Sequence, residues 1–195
     1  MSDDLALLKA EAGMWTTVSP ARMFVELLRY DEPELFSRPD IVPFGSYGTG
    51  RPVPERPFLN DRHLRARALT ARLHEAGVML ASGTDHVLAN STQLNLVALV
   101  RAGLTPLEAI TAATLNGARV IGAEDEIGSV EVGKLADLVI LDADPLEDIT
   151  NTERIWRVIK GGKIIDREAL LGHRARDLAE LDAIPPSTSP RVGGR

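Results

Sequence analysis

"LASGTDHVLAN", residues 80 to 90, is the stretch that decides how this chain folds. An apolar run, Val78-Met79-Leu80-Ala81, ends abruptly in Ser82-Gly83-Thr84-Asp85-His86. The run does not alternate, so it does not read as a strand with one face in water. A continuous apolar strand is the mark of a parallel sheet covered on both faces. In such sheets, ligands sit beyond the carboxyl ends of the strands. Asp85 and His86 fall at that end. On residue type alone, an Asp after Gly-Thr closes a turn or caps the next helix as readily as it serves a site.

The flanking sequence supports a β/α reading. Residues 3 to 12 read as a short helix stopped by Gly13, and Met14 to Val18 as a strand stopped by Pro20. A helix is expected over roughly Ala21 to Arg29. Residues 31 to 58 hold six prolines and three glycines, a loop long enough to be functional or mobile. Helix returns at Asn60 or Asp61 and runs to Ala76, with Gly77 as its stop. Beyond the opening stretch, a helix over Thr92 to Ala102 ends at Gly103. Thr105-Pro106-x-Glu108 then forms a capping box with proline at N1, which predicts a helix from Pro106 to Ile121.

After Gly122 the texture changes. Ile127 to Val132 and Ala136 to Leu141 read as extended runs. "RIWRVIKGGKII" reads as two strands around Gly161-Gly162, a pair suited to a two-residue hairpin. Asp142, Asp144 and Asp148 surround Pro145 without calcium-loop spacing and read as a solvated turn. Trp15 and Trp156 sit in expected strands and read as core. A polar helix over Arg167 to Leu181 and a tail poor in apolar residues complete the chain.

Composition narrows the function. The 195 residues are 44% hydrophobic and 26% charged, with a net charge of −6 and no cysteine. Disulfide, thiolate and cysteine-zinc chemistry are thereby excluded. No basic block or aromatic platform suggests nucleic acid. No apolar run approaches the ~20 residues of a membrane span, and Met1 is followed directly by Ser2-Asp3-Asp4, so a cytoplasmic location is expected. His63 and His74 read as solvated and His173 as part of the polar tail. No His-x-His or His-Glu-x-x-His spacing occurs. "SYGTGR" lacks phosphate-loop spacing. His86 is adjacent to Asp85, and neighbours on a strand point to opposite faces. It reads as a pocket-lining or loop histidine, with metal ligation as the alternative.

"GVMLASGTD", "LNLVALVRAGLTPLEAITAATLNGARVIG", "IGSVEVGKLADLVILDADPLEDI" and "VIKGGKII", in that order, resemble the C-terminal part of the amidohydrolase superfamily. The flavour is that of its imidazolonepropionase-like and prolidase-like branch. "GMWTTVSP" resembles the family's seventh barrel strand. The resemblance implies an α/β fold: the C-terminal part of a (β/α)8 TIM-type barrel, about strands 7 and 8, plus the C-terminal part of a small β-sandwich. The implied division is 1–125 for the barrel portion, 126–166 for the sandwich portion and 167–195 for a polar helix and disordered tail.

The resemblance also implies hydrolysis of carbon–nitrogen bonds in amides, cyclic amides or dipeptide-like small molecules, with one or two divalent metals, often zinc. The family's strand-8 Asp binds metal and acts as general base, and by motif it falls on Asp85. Gly83 and Thr84 would shape that turn, and residues 31–58 would cover the substrate. Where the branch often carries a His and a Glu on the following helix, this chain has Gln93 and Asn95. With His86, these are the candidate substrate contacts.

The family's His-x-His and its other ligands have no counterpart here. A closed β/α barrel takes ~250 residues, and two parallel strands leave unpaired apolar edges. The expectation is a C-terminal fragment that needs a missing N-terminal barrel segment or a complementing chain, and that could form a homo-oligomer. The competing expectation is a non-catalytic binding or assembly module.

Overall fold

The computed structural model describes residues 3–18, 57–84, 91–166 and 169. The expected helix over Ala21 to Arg29, nearly all of the 31–58 loop, Asp85, His86, nearly all of the polar helix and the tail lie outside them.

Helix α1, Asp3–Glu11, leads through Gly13 at φ +63° into strand β1, Trp15–Val18. Helix α2 spans Pro57–Glu75, three residues longer at its start than the spacing predicts. A proline is tolerated in a first helical turn because its missing N–H would have had no partner there. Strand β2, Met79–Ser82, follows and pairs parallel to β1, with Trp15 opposite Met79 and Val18 opposite Ser82. Leu80 and Ala81 are successive residues and both are buried, so β2 is covered on both faces. That is the parallel β/α arrangement the apolar run predicts.

Helices α3, Ser91–Arg101, and α4, Pro106–Ala113, pack on this pair. Leu96, Leu99 and Ala109 join Val18, Leu80 and Leu104 in one apolar core. The capping box forms as expected: the Thr105 N–H donates to Glu108 Oε2 at 2.8 Å, and the Glu108 N–H donates to Thr105 Oγ1 at 3.3 Å.

The expected single helix from Pro106 to Ile121 is in fact two. It breaks at Thr114 (φ −119°, ψ −89°), and α5 runs over Leu115–Val120. The Thr114 hydroxyl donates to the Ile110 carbonyl at 2.8 Å, a local bond that competes with helix continuation. The new direction lays α5 against β2, where Asn116 Nδ2 donates to the Leu80 carbonyl at 2.8 Å.

A small antiparallel sheet follows, with strands β3, Leu138–Leu141, β4, Ile155–Lys160, and β5, Lys163–Ile164, in the order β3-β4-β5. Gly161 and Gly162, at φ +56° and +78°, make the β4–β5 turn. Both residues need positive φ in such a turn, which glycine adopts without steric cost. The segment 127–132 is not a strand. Gly128 at φ +96° turns it against α5, where a Cβ would lie 2.9 Å from Leu115 Cα. Lys134 fastens the turn to Ser129 Oγ at 2.6 Å and to Glu131 at 3.2 Å. Trp156 is 51% exposed rather than core, and the Arg157 guanidinium sits 4.9 Å from its ring centre.

The acidic connection between β3 and β4 is a turn, as expected. Asp144 accepts from the Leu146 N–H, and Asp148 caps a 3-10 helix, Ile149–Glu153. Ile149 of that helix is buried with Leu96 and Leu99, so the small sheet is tied to the helical layer.

Candidate active site

The carboxyl ends of β1 and β2 converge on one backbone group. The Val18 carbonyl accepts from the Gly83 N–H at 3.0 Å and from Asn95 Nδ2 at 3.4 Å. The same Asn95 amide donates to Ser82 Oγ at 2.5 Å. Gly83 closes the gap from the other side: a Cβ there would lie 2.8 Å from Thr17 Cγ2. Glycine at this point lets the chain leaving β2 pass close to the Thr17 side chain. Asp85 is the third residue after Ser82 in the sequence.

Asn95 is fully buried, at 0% exposure, in the first half of α3. A buried amide is costly unless hydrogen-bonded, and this one spends its nitrogen on the two strand ends. Gln93 lies elsewhere. It lines an open cleft of about 640 Å³ with Leu96, Ile110, Thr114, Asp137 and Val139, and no residue of β2 lines that cleft. The pair that the family resemblance groups as candidate substrate contacts is therefore divided between two surroundings. Residues two apart on a helix do not share a face. Gln93 Oε1 and Thr16 Oγ1 are buried without a hydrogen-bond partner among the described residues. Sequence reading gave no reason to single out Thr16, a polar residue within a short strand.

His74, expected in solvent, is half-buried instead, with Nε2 3.6 Å from Glu108 Oε2. Glu108 has its pKa lowered, first by the Thr105 N–H, then by the Thr105 hydroxyl, with a smaller contribution from His74. This cluster belongs to the helix cap and not to the strand ends. Among the described residues, no group of three or more His, Asp and Glu side chains is placed to hold a metal ion. The described residues thus do not make a metal centre by themselves. No described helix is long and apolar enough to cross a membrane.

The family model for the amidohydrolase family matches residues 9–165. The chain belongs to the amidohydrolase family. It is 40% identical over 111 residues to ochratoxinase from Aspergillus niger, an alignment covering 54% of this chain and 22% of that protein. It is 36% identical over 125 residues to imidazolonepropionase from Symbiobacterium thermophilum, covering 60% of this chain and 28% of that protein. A crystal structure of a Xaa-Pro dipeptidase with methionine in its active site superposes with a TM-score of 0.63 at 27% identity, over 85% of this chain and 38% of that one. The chain thus spans about a quarter of the length of these two curated relatives. The amidohydrolase resemblance drawn from "GVMLASGTD" and the motifs after it is borne out, and so is the α/β fold of the family's type.

Proposed function

We propose that this amidohydrolase chain supplies strands 7 and 8 of the barrel and part of the flanking sandwich to a hydrolase of carbon–nitrogen bonds. In this division residues 1–125 belong to the barrel and 126–166 to the sandwich. The substrate is a small amide, cyclic amide or dipeptide-like molecule, and the reaction is hydrolysis. The observation that carries the reading is the parallel β1–β2 pair, whose converging carboxyl ends lead into Thr84-Asp85. In β/α architectures that is where substrates bind. The relatives' names agree in reaction class.

Asp85 is the residue assigned to catalysis. Its carboxylate accepts the proton of the attacking water, the role a carboxylate fills when held near its target at neutral pH. Asp85 would also be one ligand of a divalent metal, zinc by family type, which when bound would supply polarisation of the scissile carbonyl. Three or more ligands are usual for such an ion, and in this reading the others would come from the rest of the barrel, in the same polypeptide or a complementing one. His86 is the proposed substrate contact; Gln93, in its separate cleft, is not one.

The test uses the polypeptide or complex that carries the whole barrel. Asp85→Asn should abolish turnover of N-acyl amino acids and Xaa-Pro dipeptides and lower bound zinc. Unchanged zinc content and unchanged turnover in that variant would remove Asp85 from the site. The second reading, an assembly module without catalysis, draws on β2, which has a strand neighbour on one edge only among the described residues. It predicts a stable complex with no turnover in the unsubstituted protein.

A further inference from the structure

We propose that Asn95 is a positioning residue: from α3 it ties the carboxyl ends of β1 and β2 together and so fixes the backbone that leads into Asp85. The inference rests on the catalytic reading of Asp85 and deepens it. Three observations meet at one point. Asn95 is fully buried, so it presents no surface to a substrate. Its amide nitrogen donates to groups on both strands, the Val18 carbonyl and Ser82 Oγ. The Val18 carbonyl also accepts from the Gly83 N–H, the last described bond between the strands before Asp85.

The geometry makes the amide hard to replace. An asparagine nitrogen carries two donors, and here there is one for each strand end. An aspartate of the same shape has no donor for the Val18 carbonyl. An apolar residue of similar size leaves that carbonyl with Gly83 alone and leaves the Ser82 hydroxyl without this partner. The base that activates water must be held to within a fraction of an ångström, and this two-strand tie acts on the backbone two residues before Asp85 in the sequence. Asn95 therefore acts through Ser82, Gly83 and Thr84 and does not touch the reacting atoms.

Two variants and two readouts test this. Ser82→Ala removes one acceptor at a partly exposed position, and Asn95→Ala removes the tie. Amide hydrogen exchange in the 195-residue chain compares the Gly83 N–H with the Ala109 N–H, which is bonded within α4 at 3.0 Å from the Thr105 carbonyl. The tie predicts that Ser82→Ala speeds Gly83 exchange about fivefold to tenfold, the factor expected for one ordinary hydrogen bond, and leaves Ala109 unchanged. Equal acceleration at both amides, or none, overturns the proposal. It does so even if Asn95→Ala fails to fold.

In the complete barrel, both variants should lower kcat on N-acyl amino acids or Xaa-Pro dipeptides about tenfold, with KM held within about twofold. A raised KM with kcat intact would make Asn95 a substrate contact and end the positioning assignment. If Asp85→Asn retains turnover, the catalytic reading fails by itself, and the Gly83 exchange result still decides whether the tie exists.

Discussion

Asn116, on α5, donates its side-chain amide to the carbonyl of Leu80, in the middle of β2, at 2.8 Å across thirty-six positions of sequence. The direction of that carbonyl gives the bond its meaning. The Gly83 N–H reaches Val18, so alternate residues of β2, Ala81 among them, turn their backbone groups toward β1. Leu80 turns its groups the other way, toward the edge that has no strand neighbour among the described residues. Asn116 covers a backbone acceptor on that edge, where exposed acceptors invite foreign strands.

Asn116→Ala should therefore cost about 1–3 kcal/mol, the penalty for leaving a half-buried carbonyl without its partner. Asn116→Asp should cost at least as much, since a carboxylate has no donor to offer. Urea denaturation would show the loss as a lower midpoint with unchanged slope. An unchanged midpoint in both variants would mean that another donor replaces Asn116 at Leu80.

Gly83 meets Thr17 at the strand ends. A methyl group at Gly83 would lie 2.8 Å from Thr17 Cγ2, nearer than carbon atoms tolerate. Gly83→Ala should destabilise by about 1–3 kcal/mol through overpacking. Thr17 is exposed, and Thr17→Ser removes the clashing methyl with little other effect. The double variant should then recover most of the loss, a coupling that a thermodynamic cycle measures. Strict additivity of the two changes would place the cost of Gly83→Ala in the backbone and not in this contact.

What the sequence disclosed and what it withheld divide along the range of the interactions. The Thr105–Glu108 box and the Gly161-Gly162 turn were legible because their chemistry is complete within four residues. The parallel pair was legible because burial on both faces demands an unbroken apolar run, and "VMLA" supplies one. The break at Thr114 was not. It serves a bond from Asn116 to Leu80, and the Thr114 hydroxyl bond to Ile110 does not single it out, since Thr111 makes the same bond to Leu107 inside the unbroken helix. The run at 127–132 has strand-like composition, yet Gly128 fits there by lying against Leu115 and Ala118, a contact no periodicity reveals. Asn95 reads as a candidate substrate contact because the resemblance sets it, with Gln93, where the branch often carries a His and a Glu. Its full burial depends on where two strands end, which only the tertiary structure states. The amidohydrolase motifs, in contrast, were legible at the level of the family because several occur in order.

The capping box gives the α4 start a measurable pH signature. Glu108 accepts from the Thr105 N–H at 2.8 Å and the Thr105 hydroxyl at 2.7 Å, and both bonds favour its ionised form. Its folded pKa is accordingly below the usual 4.5. A group whose pKa falls on folding contributes stability above its unfolded pKa and loses it as pH drops through the folded value. The contribution is therefore complete at neutral pH and fades below about pH 4. Glu108→Gln keeps a capping side chain, since glutamine also serves in such boxes, but removes the charge. The melting temperatures of wild type and Glu108→Gln should differ at neutral pH and converge as the pH falls through the lowered folded pKa of Glu108. Thr105→Ala, which removes the hydroxyl that caps the Glu108 N–H, should cost about 1 kcal/mol at neutral pH. A gap between wild type and Glu108→Gln that stays constant across the acid range would mean that the ionised carboxylate contributes nothing to the helix start, leaving its geometry alone to cap α4.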